Sequence, residues 1–89
     1  MIYRIVTENK NKGEIAGILH NLGLDFTMYP AEGSWKQVRE VSLIIEFSPG
    51  VYTDVSIAAE RIRLLNNQEA VLVQEIPSEN YLFEEGKVI

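Results

Sequence analysis

The sequence predicts an α+β domain in which strands and helices follow in the order βαββαβ. Apolar residues recur with helical spacing in two segments, and β-prone or alternating residues fill four others. Each strand–helix–strand crossover should be right-handed. This order therefore gives a four-stranded antiparallel sheet with both helices on one face.

The first strand and the first helix carry clear local signals. Ile2 to Val6 are suited to a pleated sheet, and a polar loop follows. One face of a helix is then formed by apolar residues at i, i+3, i+4 and i+7: Ile15, Ile18, Leu19 and Leu22. Gly23 suits a left-handed cap, and Leu24 is placed to fold back onto the end of the helix.

The second and third strands are predicted to form a hairpin with a long connection. Apolar residues alternate from Leu24 to Met28, and Pro30 should end that strand. From Val41 to Phe47, alternate residues point into the core, while Ile44 points the other way. The connection from Glu32 to Glu40 is longer than usual, and long loops are more often functional. It contains Trp35, which is either a binding hot spot or a cover for the end of the sheet.

The second half supplies another helix and a last strand. Ser48-Pro49-Gly50 is a turn, and Thr53 or Asp54 should cap a helix that starts at Val55. The helix has a core stripe of Val55, Ala58, Ala59, Ile62 and Leu65. Asn66-Asn67 ends the helix, and Ala70 to Ile76 form a strand. We therefore expect a ferredoxin-like plait over residues 1–76. An acidic and aromatic C-terminal tail over 77–89 is a possible extra strand, a hairpin, or a segment ordered by a partner.

Composition narrows the class of protein. With 89 residues, 46% of them hydrophobic and 24% charged, one globular domain is expected. The lack of cysteine removes disulfides, thiolate zinc sites and thiol catalysis, and fits a reducing cytosol. The amino terminus does not resemble a signal peptide, and no apolar run is long enough to span a bilayer. We predict a cytoplasmic protein with no membrane partner.

Charge and aromatic content argue against nucleic acid. The formal net charge is −5 and the pI is about 4.8, whereas nucleic-acid binding usually needs a basic face. RNA-binding plaits stack bases on aromatics of their central strands, and here the third strand offers Ile44 and Glu46. We expect no nucleic-acid partner.

No catalytic constellation is evident in the sequence. His20 is the single histidine, and it lies away from the core stripe without a nearby orienting carboxylate. The glutamates show no metal-ligand spacing with it, and the chain has no phosphate-binding loop or nucleophile elbow. We predict a protein that is not an enzyme and binds no metal or cofactor.

Two surfaces are candidates for a partner. The sheet face away from the helices should carry Ile44, with Val71 and Val73 if Leu72 and Ile76 point into the core, and Tyr29 nearby. Such a face is usually covered. Either Tyr81, Leu82 and Phe83 of the tail cover it, or a second copy does. On the second helix, Ile57 and Leu64 lie nearly opposite the core stripe and form the other candidate surface.

Three resemblances extend this interpretation. Lys12 to Phe26, with Gly13, Leu22 and Gly23, resembles the opening of ACT-type regulatory domains. That resemblance implies a paired domain with an amino acid or similar ligand near Lys12 to Ile15. The long turn from Pro30 to Glu40 resembles the flexible loop of PII-like signalling trimers.

Trp35-x-x-x-x-Glu40-x-Ser42-Leu43-Ile44-Ile45-Glu46, with Leu65-x-Asn67-Gln68-Glu69-Ala70-Val71-Leu72-Val73, resembles small proteins of bacteriophages and mobile elements. Their pattern has Gly two residues after Trp, whereas Gln37 stands here and argues against a tight turn. Small acidic proteins of this kind often block a host defence complex by occupying a basic surface.

Two functions follow as expectations. The first is a small non-catalytic protein-binding module that self-associates, with a homodimer favoured. It would act as a phage or mobile-element inhibitor or accessory protein against a host protein with a basic surface. The alternative is an ACT-like small-molecule-binding domain that works as a dimer.

Overall fold

The computed structural model describes residues 2–48 and 50–77, with Trp35 and Glu40 described by their backbones alone. Four strands and two helices follow in the predicted α+β order. These elements are β1 (Ile2–Glu8), α1 (Lys12–Asn21), β2 (Thr27–Trp35), β3 (Val38–Phe47), α2 (Tyr52–Leu65) and β4 (Leu72–Ile76).

The described strands form one antiparallel sheet with the order β2-β3-β1-β4. In the centre, β1 pairs with β3 from Tyr3 opposite Phe47 to Glu8 opposite Ser42. On its other side β1 pairs with β4, where Ile5 lies opposite Val73. β2 is therefore an edge strand that contacts β3 alone among these strands.

Both helices cover the same face of the sheet. The buried cluster joins inward residues of β1 and β3 to one stripe from each helix: Tyr3, Ile5, Leu43, Ile45, Phe47, Ile15, Leu19, Val55, Ala58, Ala59 and Ile62. Burying each large apolar side chain contributes roughly 1.5–3 kcal/mol, so this layer dominates stability. Leu65 was predicted to join the stripe, but it is 38% exposed because it lies at the margin of that stripe in the last helical turn.

The end of α1 confirms the predicted left-handed cap. Gly23 has φ 69°, its N–H donates to the carbonyl of His20, and the Leu24 N–H donates to the carbonyl of Leu19 at 3.0 Å. These are the two bonds of a Schellman motif. Leu24 packs against the core as expected.

The start of α2 differs from the prediction. The helix begins at Tyr52 after Val51, and no side chain caps it. Thr53 and Asp54 consequently lie inside the first turn, where they cannot occupy the cap position. The Asp54 carboxylate is still well placed, because negative charge near a helix N-terminus is favourable.

The hairpin between β2 and β3 corrects two expectations. β2 continues through Pro30 to Trp35, and the connection is the two-residue turn Lys36-Gln37, with φ of 50° and 63°. The long loop predicted from Glu32 to Glu40 is therefore wrong, and so is the argument against a tight turn at Gln37. Positive φ at both central residues is typical of the turn that matches strand twist.

Pro30 is tolerated because β2 lies at the edge. In a two-residue hairpin the flanking residues, Trp35 and Val38, bond to each other, and bonded positions alternate from there. Pro30 thus falls on a position whose backbone faces away from β3, where a missing N–H removes no bond of the sheet.

Candidate functional site

A cleft of about 690 Å³ lies at the end of the sheet where β1 stops. β1 ends at Glu8 opposite Ser42, whereas β3 continues outward to Val38 and pairs there with β2. The chain leaves the sheet after Glu8 because Asn11 takes φ 57° and α1 begins at Lys12. The cleft is lined by β1 residues, by the extension of β3 and by the residues around the start of β4: Val6, Thr7, Glu8, Val41, Ser42, Gln68, Ala70, Val71 and Leu72.

The lining of this cleft includes apolar side chains that are well exposed. Val41 is 48% exposed and Leu72 is 53% exposed, and Val6 and Val71 are half-buried beside them. Exposed apolar residues that converge in a concavity are typical of a binding site rather than of an ordinary surface. We call this feature the strand-end cleft.

A buried polar network forms one wall of the strand-end cleft. Thr7 Oγ1 donates to Gln68 Oε1, and Asn66 Nδ2 donates to Thr7 Oγ1 and to Gln68 Oε1, both at 3.3 Å. Asn11 Nδ2 donates to Asn66 Oδ1 at 2.9 Å. The network joins the end of β1, the start of α1 and the end of α2. Because these groups bond one another, few of them remain for a ligand.

The sheet face opposite the helices is the second candidate surface, which we call the open face. Strand register places seven apolar side chains on it, interspersed with polar ones such as Ser42 and Gln74: Ile2, Val6, Ile44, Leu72, Ile76, Tyr29 and Ala31. At its centre Arg4 lies 3.7 Å from Glu46, and Tyr29 Oη donates to the same carboxylate. That hydrogen bond, together with burial, raises the pKa of Tyr29. Arg4 Nε is buried and bonds to no described residue.

Tyr29 and Ile44 lie on the open face as predicted, directly opposite each other. Tyr29 is partly exposed. Ile44 is only 8% exposed, so the centre of the face is shielded and a substitution there would perturb the fold.

The predicted placement of Val71 and Val73 is wrong. Val73 pairs with Ile5, and both valines pack against the core under the helices. Leu72 and Ile76 take the open face instead. Because strand residues alternate between faces, the pairing of Val73 with Ile5 determines which face every other residue of β4 occupies.

Ile57 and Leu64 lie on the exposed side of α2, as their spacing predicts, with Leu64 64% exposed. Between them Glu60 accepts a hydrogen bond from Arg63 Nε at 2.9 Å, which lowers the pKa of Glu60. This side of the helix is convex and carries a paired charge, so it offers a partner less apolar surface than the cleft does.

Trp35 and the tail complete the set of predicted site residues. The backbone of Trp35 is the last position of β2 and pairs with Val38 beside the turn. Tyr81 and Phe83, one of the two predicted covers of the sheet, lie outside the described residues, as do all residues from 78 to 89 of the tail predicted over 77–89.

Sequence reasoning missed the strand-end cleft altogether. Among its lining residues only Val71 was predicted as a binding residue, and for the open face rather than for this cleft. The available signal was the length of the β-prone run from Val38 to Phe47, which exceeds that of the first strand.

Neither described helix is long and apolar enough to cross a membrane. Over residues 2–48 and 50–77, no group of three or more His, Asp or Glu side chains is placed to hold a metal ion.

Comparison with known proteins establishes the fold and not the family. No family model matches the chain, and no curated protein matches it significantly. Among solved structures, it is similar to the crystal structure of a DUF3240 family protein from Shewanella baltica OS155, with a TM-score of 0.59. The two share 12% sequence identity, and the match covers 92% of this chain and 94% of that chain. At this identity the likeness concerns the fold alone.

Proposed function

We propose that this chain is a small non-catalytic module that acts by protein–protein contact, built on a ferredoxin-like plait. The plait is supported by the element order and by the strand order β2-β3-β1-β4. The proposed function rests on one observation above all: exposed apolar side chains line the strand-end cleft while the polar groups beside them bond one another. Such a surface suits a polypeptide partner better than a polar substrate.

Self-association through the open face is a further part of the proposal. The central charges of that face, Arg4 and Glu46, compensate each other, so the centre of the face is neutral in a chain of net charge −5. Two copies can therefore bring the centres of these faces together without like-charge repulsion. A homodimer would therefore bury the apolar residues that flank this pair.

Light scattering of paired variants tests the dimer. Ala31→Glu adds a charge to the open face at a partly exposed site, and Leu64→Glu adds the same charge to the outer side of α2. We expect the wild type and Leu64→Glu to be dimeric and Ala31→Glu to be monomeric. A monomeric wild type, or a dimer lost only with Leu64→Glu, would contradict use of the open face.

The host target is proposed to present a basic surface, in keeping with the acidic chain and with the phage-type resemblance. An affinity pull-down from bacterial lysate, eluted with increasing salt, tests this. A basic partner released by moderate salt is expected, because exposed charge pairs are screened. If no specific partner is captured and the wild type is also monomeric, the protein-binding proposal fails.

A ligand-sensing function is the second candidate, supported by the start of α1. No side chain caps this helix, because the Asn11 side chain bonds to Asn66, and a Cβ at Gly13 would meet open space. Its first N–H groups could bind a ligand carboxylate near Lys12 to Ile15. A thermal-shift screen with amino acids and nucleotides separates the two functions: a true ligand should stabilise by ~2.7 kcal/mol at a hundredfold excess over Kd.

A further inference from the structure

We propose that the strand-end cleft is an acceptor site for a β-strand of a partner protein, which adds to β3 beside Val41 and Arg39 and continues the line of β1. The inference rests on the proposed protein-binding function and specifies how the partner is bound. Its support comes from the backbone of β3, the shape of the cleft and the chemistry of its walls.

The backbone of β3 offers two outward-facing positions at this end of the sheet, Val41 in the lining of the cleft and Arg39 beyond it. Because Val38 and Trp35 flank a two-residue turn, Val38 and Glu40 bond to β2, and Arg39 and Val41 direct their N–H and C=O groups to the other side. β1 occupies that side only from Ser42 onward. Among residues 2–48 and 50–77, none is a strand partner of Arg39 or Val41 there. The pairing of Glu8 with Ser42 directs the Asn9 N–H to the Val41 carbonyl, so the open template consists of the Val41 N–H and the N–H and C=O of Arg39.

The space beyond the end of β1 has room for one strand beside β3. β1 pairs with β3 only as far as Glu8 opposite Ser42, and a strand added to β3 beyond that point would lie ~4.8 Å from it. β4 does not border this position, because it begins at Leu72 opposite Val6. The added segment would therefore contact β3, where Val41 is well exposed.

The walls favour a peptide backbone over a small polar ligand. Thr7, Asn66 and Gln68 use their hydrogen-bonding groups on one another, whereas the β3 backbone groups face the cleft. The outer edge of β2 provides a contrast within the same hairpin, because Pro30 interrupts its donors and discourages pairing there. The edge of β3 carries no proline between Val38 and Val41.

The neighbouring side chains define the sequence the site would prefer. Val41 and Arg39 share one face of β3, and the incoming residues directly opposite them would lie on that face too. An apolar residue opposite Val41 and an acidic residue two positions away, opposite Arg39, match these partners. Arg39 is exposed and already contacts Glu32, so a second carboxylate would share its guanidinium.

Selection from a random peptide library, followed by NMR, tests this proposal. We expect the selected peptides to alternate an apolar and an acidic residue at that spacing, and to shift and protect the amides of Arg39 and Val41. The Arg39→Glu variant should select basic residues in place of the acidic one.

Proline substitution isolates the backbone contribution. Val41→Pro removes an N–H that faces the cleft, and Ser34→Pro, its matched control, removes one that faces the outer edge of β2 in the same hairpin. Peptide affinity should fall about tenfold or more in the first and stay unchanged in the second. If Val41→Pro unfolds the hairpin, Arg39→Pro removes the neighbouring outward donor and serves the same purpose.

Several results would overturn strand addition. The first is that no peptide is enriched, or that Val41→Pro and Ser34→Pro weaken binding equally. The second is that the selected peptides protect amides elsewhere. The third is that the amides of Arg39 and Val41 are already protected in the free protein, which would mean that the chain itself or a second copy fills the cleft. A lysate partner that Val41→Pro still captures would preserve the protein-binding function and refute this mode of binding alone.

Discussion

Replacement of Gly50 by alanine should destabilise the fold through a clash with Tyr3. A Cβ at Gly50 would lie 2.6 Å from Tyr3 Cδ2 and 3.2 Å from the carbonyl oxygen of Phe47. Favourable carbon contacts lie at roughly 3.5–4.0 Å, so the ring would have to move by about 1 Å. The φ of Gly50 is not in the left-handed region, and the need for glycine at this position is therefore steric.

The cost follows from what holds the Tyr3 ring in place. Its hydroxyl donates to Glu75 at 3.3 Å, and its ring packs 6.1 Å from that of Tyr52. Overpacking of this kind costs roughly 1–3 kcal/mol. Alanine also restricts the backbone of the unfolded chain, which offsets ~0.4–1 kcal/mol of that cost. We expect a net loss of about 1–2 kcal/mol, which corresponds to a fall in Tm of roughly 5–15 °C for a domain of this size.

Thermal and urea denaturation of matched glycine variants measures this effect. Gly17→Ala is the control, because a Cβ there meets nothing within 4 Å and alanine favours the helix interior. It should raise stability by roughly 0.5–1 kcal/mol. In Gly50→Ala combined with Tyr3→Leu the two losses should be less than additive, since the clashing ring is gone. If Gly50→Ala is as stable as the wild type, or the two losses simply add, the steric explanation is wrong.

Three further predictions concern the polar wall, the hairpin turn and high pH. Asn66→Ala should cost roughly 1–3 kcal/mol in urea denaturation, because it leaves Thr7 and its neighbours without their amide partner in a buried site. Gln37→Gly should raise the free energy of unfolding in urea by roughly 1–2 kcal/mol, because φ 63° strains a side chain; an unchanged free energy would argue against the turn geometry. Burial and Glu75 raise the pKa of Tyr3, and the hydrogen bond with Glu46 raises that of Tyr29, above 10.0. Because these folded-state pKa values are raised, the two tyrosines contribute their full stabilisation below about pH 10, and that contribution is lost as the pH rises through the folded-state pKa. Tyrosinate absorbance should therefore appear together with falling stability above about pH 10.

Local signals predicted the elements well where short-range chemistry decides the outcome. The spacing of the apolar residues located both helices, and Gly23 marked the end of α1 because only its backbone takes positive φ without strain. The order of strands and helices, and hence the α+β class, followed directly. The start of α2 was misplaced because Asp54 is a good capping residue that tertiary packing uses inside the first turn.

The hairpin could not be predicted from the local sequence, because whether a strand tolerates proline depends on the position of that strand in the sheet. Pro30 ends a central strand but is harmless at an edge, and the edge position of β2 is known only once the sheet is assembled. The turn at Lys36-Gln37 contains neither glycine nor asparagine, so its positive φ values left no trace in the sequence. Residues with unfavourable φ are retained there because the paired strands on either side fix the turn.

The strand-end cleft is a consequence of unequal strands and was invisible for the same reason. It exists because β1 stops at Glu8 while β3 runs on, and the sequence does not state which residues of the two strands face each other. The sequence also does not decide which alternate residues of β4 face the core. Val71 and Leu72 are equally apolar, and only the pairing with β1 determines which of them points inward.

The polar network and the open edge belong together in this geometry. Thr7, Asn66 and Asn11 tie the last residues of β1 to both helices, which turns the chain out of the sheet at the point where β3 continues. The buried hydrogen bonds hold that exit in one place, so the gap that β1 leaves beside Arg39 and Val41 stays open. A strand that enters such a gap does not have to order the acceptor, which lowers the conformational cost of binding. In the proposed strand addition, the same residues that stabilise the end of the domain would therefore also prepare it for a partner strand.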